Sequence, residues 1–168
     1  MASLAWFLAL VLASSAAQKL IERDRMALAT AKLAGLNLSI AGPASLVAAA
    51  IEAMAAIALA FPSTQAIGAA LAGTLWLGYG LALGAAARRG DSLDCGCSFA
   101  ARTKPVDAFT VGRAFVLACL AMLALAAAEA GATAPGIEPL FAALGLFTLY
   151  HAAGEIAALP PLHRKAAR

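Results

Sequence analysis

Two cysteines stand one residue apart in a short polar stretch of an otherwise apolar chain. Cys95 and Cys97 flank Gly96. Two residues span at most about 7 Å, and the Cα atoms of a disulfide lie about 4.4 to 6.8 Å apart. The pair can therefore close, with Gly96 relieving the backbone bend. A disulfide in so small a ring is strained, and strained disulfides exchange readily with other thiols. The spacing predicts thiol–disulfide chemistry, with two incidental loop thiols or a metal-binding pair as the alternatives.

The third cysteine, Cys119, lies in an apolar run. A small apolar packing residue is the simpler interpretation, and the alternative is a relay thiol that exchanges with the loop pair. A zinc site usually needs three or four protein ligands, and the other candidate ligands, His151 and His163, lie on distant segments. We therefore expect the redox pair at Cys95 and Cys97, Cys119 as a candidate relay, and neither a metal nor another cofactor.

Glu52 is the one charged residue in the apolar stretch 43–61. A carboxylate at the centre of a membrane span is costly unless it is paired, so it has either a functional or a pairing role. Lys19, Arg113 and His151 are its candidate partners. Arg113 lies near the loop end of its segment, where its side chain can instead extend to the lipid headgroups. Lys19, Glu52 and Arg113 are thus further candidate functional residues.

The composition indicates a membrane protein. Of 168 residues 63% are hydrophobic and 12% charged, and the mean hydropathy is +0.87, whereas a soluble domain has about 25% charged residues. The net charge of +3 comes from basic clusters between apolar segments, which membrane topology explains better than nucleic-acid binding. The sequence has no phosphate-binding glycine loop and no hydrolase motif, so nothing in it supports nucleotide or hydrolase chemistry.

Five apolar segments can form helices, and none alternates like a barrel strand. The first ends like a signal-peptidase site but has no basic residue before it, so we expect an uncleaved helix. Gly42-Pro43 is expected to begin the second helix, and Gly80 and Gly84 in the third form a GxxxG face suited to helix packing. We predict an all-α, polytopic membrane protein, a single integral-membrane domain over 1–168, with a bundle of five helices, or four if the first is removed or interfacial. The segments are 4–17 (extending to Leu20 or beyond), 43–61, 67–87, about 107–130 and about 137–159.

The basic residues are distributed unevenly along the chain. Eleven of them lie in the segments 18–45, 88–106 and 163–168, and the alternate connecting segments have none. With five spans these three segments share one side of the membrane, which the positive-inside rule assigns to the cytoplasm. This rule places Cys95 and Cys97 on the reducing side.

The sequence resembles the MauE family of methylamine-utilisation membrane proteins, which is related to DoxX-like membrane proteins. The resemblance covers most of the chain, although the family loop usually continues Cys-Gly-Cys-Phe-Gly and an Asn often follows the arginine of the next helix. Here these positions are Ser98-Phe99 and Ala114. The matching residues are Ser15-Ala16-Ala17-Gln18-Lys19-Leu20, Glu52, Arg89-Gly90 leading into Cys95-Gly96-Cys97, and Val111-Gly112-Arg113.

The resemblance implies an accessory role at the bacterial cytoplasmic (inner) membrane. MauE-like proteins act with MauD, a thioredoxin-like protein, in maturing the disulfide-rich small subunit of methylamine dehydrogenase outside that membrane. The implied partners are the lipid bilayer, a MauD-type protein and the client subunit. Cys95 and Cys97 would then act as a thiol–disulfide oxidoreductase through a mixed disulfide. Maturation of an exported client favours a loop outside the cytoplasm, whereas the charge distribution favours a loop inside.

Two other functions fit the sequence. One is a non-redox membrane scaffold or assembly factor, in which helix packing and Glu52 matter and the cysteines do not. The other is a small transporter or a quinone-linked protein centred on Glu52. Substitutions at Glu52 and at the cysteine pair separate these alternatives from a thiol relay.

Overall fold

Six helices and one short strand pair form the part of the chain that the structure, a computed structural model, describes. The described residues are 2–90, 92–93, 104–105, 108–131 and 138–157. The elements in chain order are α1 (Ala2–Ile21), α2 (Arg23–Ala34), α3 (Leu38–Ala60), α4 (Gln65–Arg89), β1 (Ser92–Leu93), β2 (Lys104–Pro105), α5 (Ala108–Glu129) and α6 (Glu138–Ala157).

Four of the helices, α1, α3, α4 and α5, are long and apolar enough to cross a membrane. Each has between 20 and 25 residues, and about 20 residues cover the hydrocarbon thickness. The 20-residue α6 packs against α1. Many large apolar side chains, among them Ile57, Leu81 and Phe141, face outward, as expected for a surface in contact with lipid. The predicted all-α polytopic membrane fold is confirmed.

Small residues let the central helices approach closely. Ala55, Ala69 and Ala121 are completely buried. A Cβ built on Gly68 of α4 would lie 2.6 Å from the backbone nitrogen of Leu59, so only glycine fits where α4 returns along α3. On the other side of α4, the GxxxG face lies against α5, as expected for helix packing. A Cβ on Gly80 would lie 3.2 Å from the ring of Phe115, and a Cβ on Gly84 would lie 3.9 Å from Val111.

The expectation that Gly42-Pro43 begins the second span is wrong, because α3 begins at Leu38. The N–H groups of Ile40 and Ala41 donate to the carbonyl of Asn37 at 3.0 and 2.9 Å, which starts the helix earlier. Pro43 lies inside α3, where it removes one N–H donor, a loss that membrane helices tolerate when their neighbours compensate.

The charged segment after α1 forms a helix that the sequence analysis did not predict. Glu22 lies between α1 and α2. Its N–H donates to the carbonyl of Gln18, and the N–H of Met26 donates to the carbonyl of Glu22, so helical hydrogen bonding continues from α1 into α2. An ion pair joins Glu22 to Arg25. The resulting α2 packs on α3 and ends at Ala34, which is followed by Gly35 with φ 65°.

Two of the basic segments lie at the same end of the helices, in agreement with the charge pattern. A guanidinium nitrogen of Arg89, the last residue of α4, donates to the carbonyl of Leu33 near the end of α2 at 3.2 Å. Gly90 follows with φ 74°. The antiparallel strands β1 and β2 then pair Ser92 with Pro105 and Leu93 with Lys104. This strand pair joins the two ends of the segment 94–103.

Candidate functional site

A buried ion pair lies between α1 and α3. Glu52 is completely buried, and the side chain of Lys19 is 12% exposed. Lys19 Nζ lies 2.8 Å from Oε1 and 2.9 Å from Oε2 of Glu52. Of the partners that the sequence suggested for Glu52, the structure thus selects Lys19. At 1.5 Å per residue, Leu38 at the start of α3 is about 21 Å from Glu52 along the helix axis, so the pair lies within the apolar span.

Two hydroxyl groups complete the environment of the Glu52 carboxylate. Tyr79 OH of α4 donates to Oε1 at 2.7 Å, and Ser15 Oγ of α1 donates to the same oxygen at 3.1 Å. Lys19 Nζ donates in turn to Ser15 Oγ at 2.8 Å and lies 5.4 Å from the centre of the Tyr79 ring, within cation–π range. We call Ser15, Lys19, Glu52 and Tyr79 the Glu52 network.

The Glu52 network connects three helices through one carboxylate. A buried ion pair adds little net stability by itself, because the cost of removing both charges from water offsets their attraction. The additional donors reduce that cost by satisfying the carboxylate oxygens. What the network provides is geometry, since it joins α1, α3 and α4 at one level of the bundle.

A small polar cleft adjoins the Glu52 network between α1, α4, α5 and α6. Its volume is about 30 Å³, enough for one or two water molecules. Ser15 and Tyr79 form part of its wall, so the carboxylate of Glu52 is one hydrogen bond away from the cleft. The other polar residues of the wall are Ser14, Gln18, Thr110, Arg113, Tyr150 and His151.

Arg113, a further candidate from the sequence, belongs to this cleft and not to the Glu52 network. Its guanidinium carbon lies 5.1 Å from the centre of the Tyr150 ring. The Tyr150 ring in turn meets Phe7 of α1 edge-to-face, with 5.9 Å between the ring centres. Aromatic packing therefore fixes the position of Arg113 between α5 and α6.

The predicted redox pair, Cys95 and Cys97, lies outside the described residues, between β1 and β2 in the sequence. Cys119 lies on α5 with its side chain exposed. It follows Ala108, the first residue of α5, by about 16 Å along the helix axis. A relay role for Cys119 stays a prediction. In the part of the chain that the structure describes, no three His, Cys, Asp or Glu side chains are grouped so that they could hold a metal ion.

The family model described as methylamine utilisation protein MauE matches residues 1–128, which is most of the 168-residue chain. The chain belongs to the MauE family. Neither a curated protein nor a solved structure matches it significantly.

Membership in the MauE family makes this protein a multi-pass accessory membrane protein of methylamine utilisation. The matched residues include the whole Glu52 network, the sequence Cys95-Gly96-Cys97 and Arg113. They end within α5, so α6, which contributes Tyr150 and His151 to the cleft, lies beyond the match.

Three residues of the site were not among the functional candidates: Tyr79, and Ser15 and Gln18, which the sequence analysis named only as part of the segment that carries the resemblance. Ser15 lies four residues before Lys19, on the same helix face, which is a usable signal. Gln18 is 3% exposed, and a buried amide needs hydrogen-bond partners. Tyr79 lies in a span without charged residues, and a buried phenol needs a hydrogen-bond partner for its hydroxyl group. Only the packing of α3 on α4 identifies Glu52 as that partner.

Proposed function

We propose that this MauE-family protein is a membrane thiol–disulfide relay that supports the maturation of an exported, disulfide-rich dehydrogenase subunit. In this proposal Cys95 and Cys97 are the redox pair, and a thioredoxin-like protein of the MauD type is the partner. The observation that carries the proposal is the Cys-Gly-Cys sequence within the residues that the family model matches.

The chemistry of the relay is thiol–disulfide exchange. One thiolate of the reduced pair attacks a disulfide of the partner, which forms a mixed disulfide and releases one partner thiolate. The second cysteine then attacks the mixed disulfide, so that the pair leaves as a disulfide and the partner as a dithiol. Two electrons move from the pair to the partner, and the reverse sequence moves them back.

The framework around the loop supports this proposal. The β1–β2 pairing joins the chain on both sides of the segment 94–103, and Arg89 ties the end of α4 to α2. The Glu52 network holds α1, α3 and α4 in register. We therefore assign Lys19 and Glu52 a positioning role for the end of the bundle from which the loop extends.

The charge distribution favours a cytoplasmic position for the loop, at the inner membrane. In that orientation the pair exchanges electrons with a cytoplasmic thioredoxin-like protein, and the electrons are then passed into or across the membrane. An external loop would instead meet the client side directly. We propose the cytoplasmic orientation, because, apart from the buried Lys19, ten basic residues lie in the segments 18–45, 88–106 and 163–168 and none in the alternate connecting segments.

A double replacement, Cys95→Ser with Cys97→Ser, tests the relay in cells that produce the dehydrogenase. We expect the small subunit to lose its disulfides and its abundance to fall. Cys119→Ser, made separately, tests whether the exposed thiol of α5 takes part; unchanged maturation would remove Cys119 from the relay. Complete maturation in the double variant would contradict the proposal.

The buried network supports a second candidate, a function centred on Glu52 without thiol chemistry, as in a small transporter or a quinone-linked protein. Its supporting observation is the contact between the Glu52 network and the polar cleft. This candidate predicts that Glu52→Gln abolishes function while the double cysteine variant does not. The relay predicts instead that the double cysteine variant abolishes function and that Glu52→Gln has the smaller effect.

A further inference from the structure

The polar cleft lies at the junction of four helices. Its wall includes Ser15 and Gln18 of α1, Tyr79 of α4, Arg113 of α5 and His151 of α6. The helix α5 packs mainly on α4, and α6 packs mainly on α1, so the cleft lies between these two pairs of helices. A molecule in the cleft would therefore connect the side of the bundle that holds the Glu52 network to the side formed by α5 and α6.

The size of the cleft limits what it can hold. Its volume is about 30 Å³, and a water molecule needs roughly 10–15 Å³ of such space. One or two waters fit, whereas an aromatic ring, a lipid headgroup or an acyl chain does not. A small cavity with an apolar wall stays dry, but water enters one whose wall offers polar partners. The hydrogen-bonding groups of the wall therefore decide whether the cleft is hydrated.

The wall presents hydrogen-bond acceptors as well as donors. The hydroxyl groups of Ser15 and Tyr79 both donate to Oε1 of Glu52, so towards any further partner their oxygens act as acceptors. The guanidinium of Arg113 is a donor only, and the amide of Gln18 can both donate and accept. A water molecule suits such a wall, because it donates and accepts and makes about three hydrogen bonds in a buried polar site.

An ion suits the same wall less well than water does. The cation of Arg113 repels a second cation, and the oxygen lone pairs of Ser15 and Tyr79 disfavour an anion. The carboxylate of Glu52 lies behind these two hydroxyl groups, but it is already paired with Lys19 and requires no further counterion. Size and hydrogen bonding therefore favour the same occupant.

We propose that the cleft is a binding site for one or two ordered water molecules, which link Ser15 and Tyr79 to Gln18 and Arg113. In this arrangement the water donates to the hydroxyl oxygens and accepts from the amide and the guanidinium. A hydrogen-bonded chain then runs from Glu52, where α1, α3 and α4 meet, to Arg113 on α5. The water makes α5 part of the same polar network within the membrane. This inference makes no use of the cysteines and stands or falls independently of the relay.

Water inside the bundle can be detected by hydroxyl-radical labelling of the full chain in lipid nanodiscs. A short X-ray pulse generates radicals from water, these oxidise the side chains beside it, and mass spectrometry identifies the oxidised residues. Trp76 and Phe7 are both buried, with 5% and 6% of their surface exposed. Trp76 lines the cleft, whereas Phe7 belongs to the apolar core. After correction for the intrinsic reactivity of each side chain, we expect Trp76 to be labelled several-fold faster than Phe7.

Two variants remove the water site in different ways. Ala114→Val adds two methyl groups at the cleft wall, and its matched control is Ala126→Val, the same change at an exposed position of α5. Gln18→Leu replaces a buried amide of the wall with an apolar side chain of similar size. We expect Ala114→Val and Gln18→Leu to lower the labelling of Trp76 several-fold, to the rate of Phe7, and Ala126→Val to leave it unchanged.

Equal corrected rates at Trp76 and Phe7 in the unmodified protein would show that the cleft is dry and would overturn the proposal. The proposal also fails if Trp76 is labelled as fast in Gln18→Leu as in Ala126→Val, because the water would then not depend on the cleft wall. The rate at Phe7 reports whether a variant keeps its packed core. If Ala114→Val raises that rate, Gln18→Leu alone decides the outcome.

Discussion

Replacing Lys19 with methionine would leave the Glu52 carboxylate in the interior of the bundle without its cation. Methionine keeps most of the length of the side chain, so the loss is mainly electrostatic. Glu52 would retain only the hydroxyl donors Ser15 and Tyr79. Removing one partner of a buried ion pair costs about 3–5 kcal/mol of unfolding free energy. Because Glu52 is completely buried, we expect a cost in this range.

The measurement is the free energy of unfolding in mixed micelles, compared among three variants. Lys32→Met is the matched control, because Lys32 is exposed on α2, and it should change stability by no more than about 0.5 kcal/mol. The double variant Lys19→Met with Glu52→Gln removes both charges and should recover more than half of the loss, since no unpaired charge remains. Equal stabilities of Lys19→Met and Lys32→Met would refute the reasoning.

Three further predictions concern packing, function and topology. Gly68→Ala should destabilise the protein by about 1–3 kcal/mol, because its Cβ would clash with the backbone of α3. The control Gly78→Ala should not, and equal unfolding free energies of the two variants would contradict this. Glu52→Gln should reduce the level of correctly folded protein in membranes more than it reduces client maturation per molecule; loss of maturation at normal protein levels would favour a function centred on Glu52. In intact cells whose third cysteine is replaced by serine, a membrane-impermeant maleimide should label Cys95 and Cys97 only after permeabilisation, and labelling before it would reverse the proposed orientation.

Much of the helical framework could be predicted, because the length of an apolar segment indicates whether it can form a membrane-spanning helix. The expected spans 67–87 and 107–130 differ by only one or two residues at each end from α4 and α5. The charged segment that forms α2 was missed because its helix is stabilised by packing on α3, which local composition does not reveal. The start of α3 was predicted too late in the sequence, because proline favours the first turn of a helix. In the structure the hydrogen bonds that Asn37 accepts begin the helix before Pro43.

The charged residues of the candidate site, Lys19, Glu52 and Arg113, were predicted from the sequence, whereas its neutral hydrogen-bonding residues were not. A carboxylate in a span requires a partner, and Lys19 was among the candidates because it is a cation at the end of the neighbouring span. The choice of Lys19 over Arg113 depends on which helices pack against α3, and a sequence does not contain that information directly. The placement of Tyr79 beside Glu52 and the adjoining cleft arise from the same tertiary packing.

The central claim, exchange of electrons between the loop pair and a thioredoxin-like protein, is tested most directly by trapping the mixed disulfide. Membranes from cells with Cys95→Ser or Cys97→Ser are quenched in acid, and their proteins are compared on gels with and without reductant. One of the two single variants should accumulate a reductant-sensitive complex with a thioredoxin-like protein, because the thiol that resolves the mixed disulfide is absent. The double variant should form no such complex, because it has no thiol at either position. If neither single variant forms such a complex while the client still matures with the wild-type protein, the relay is contradicted.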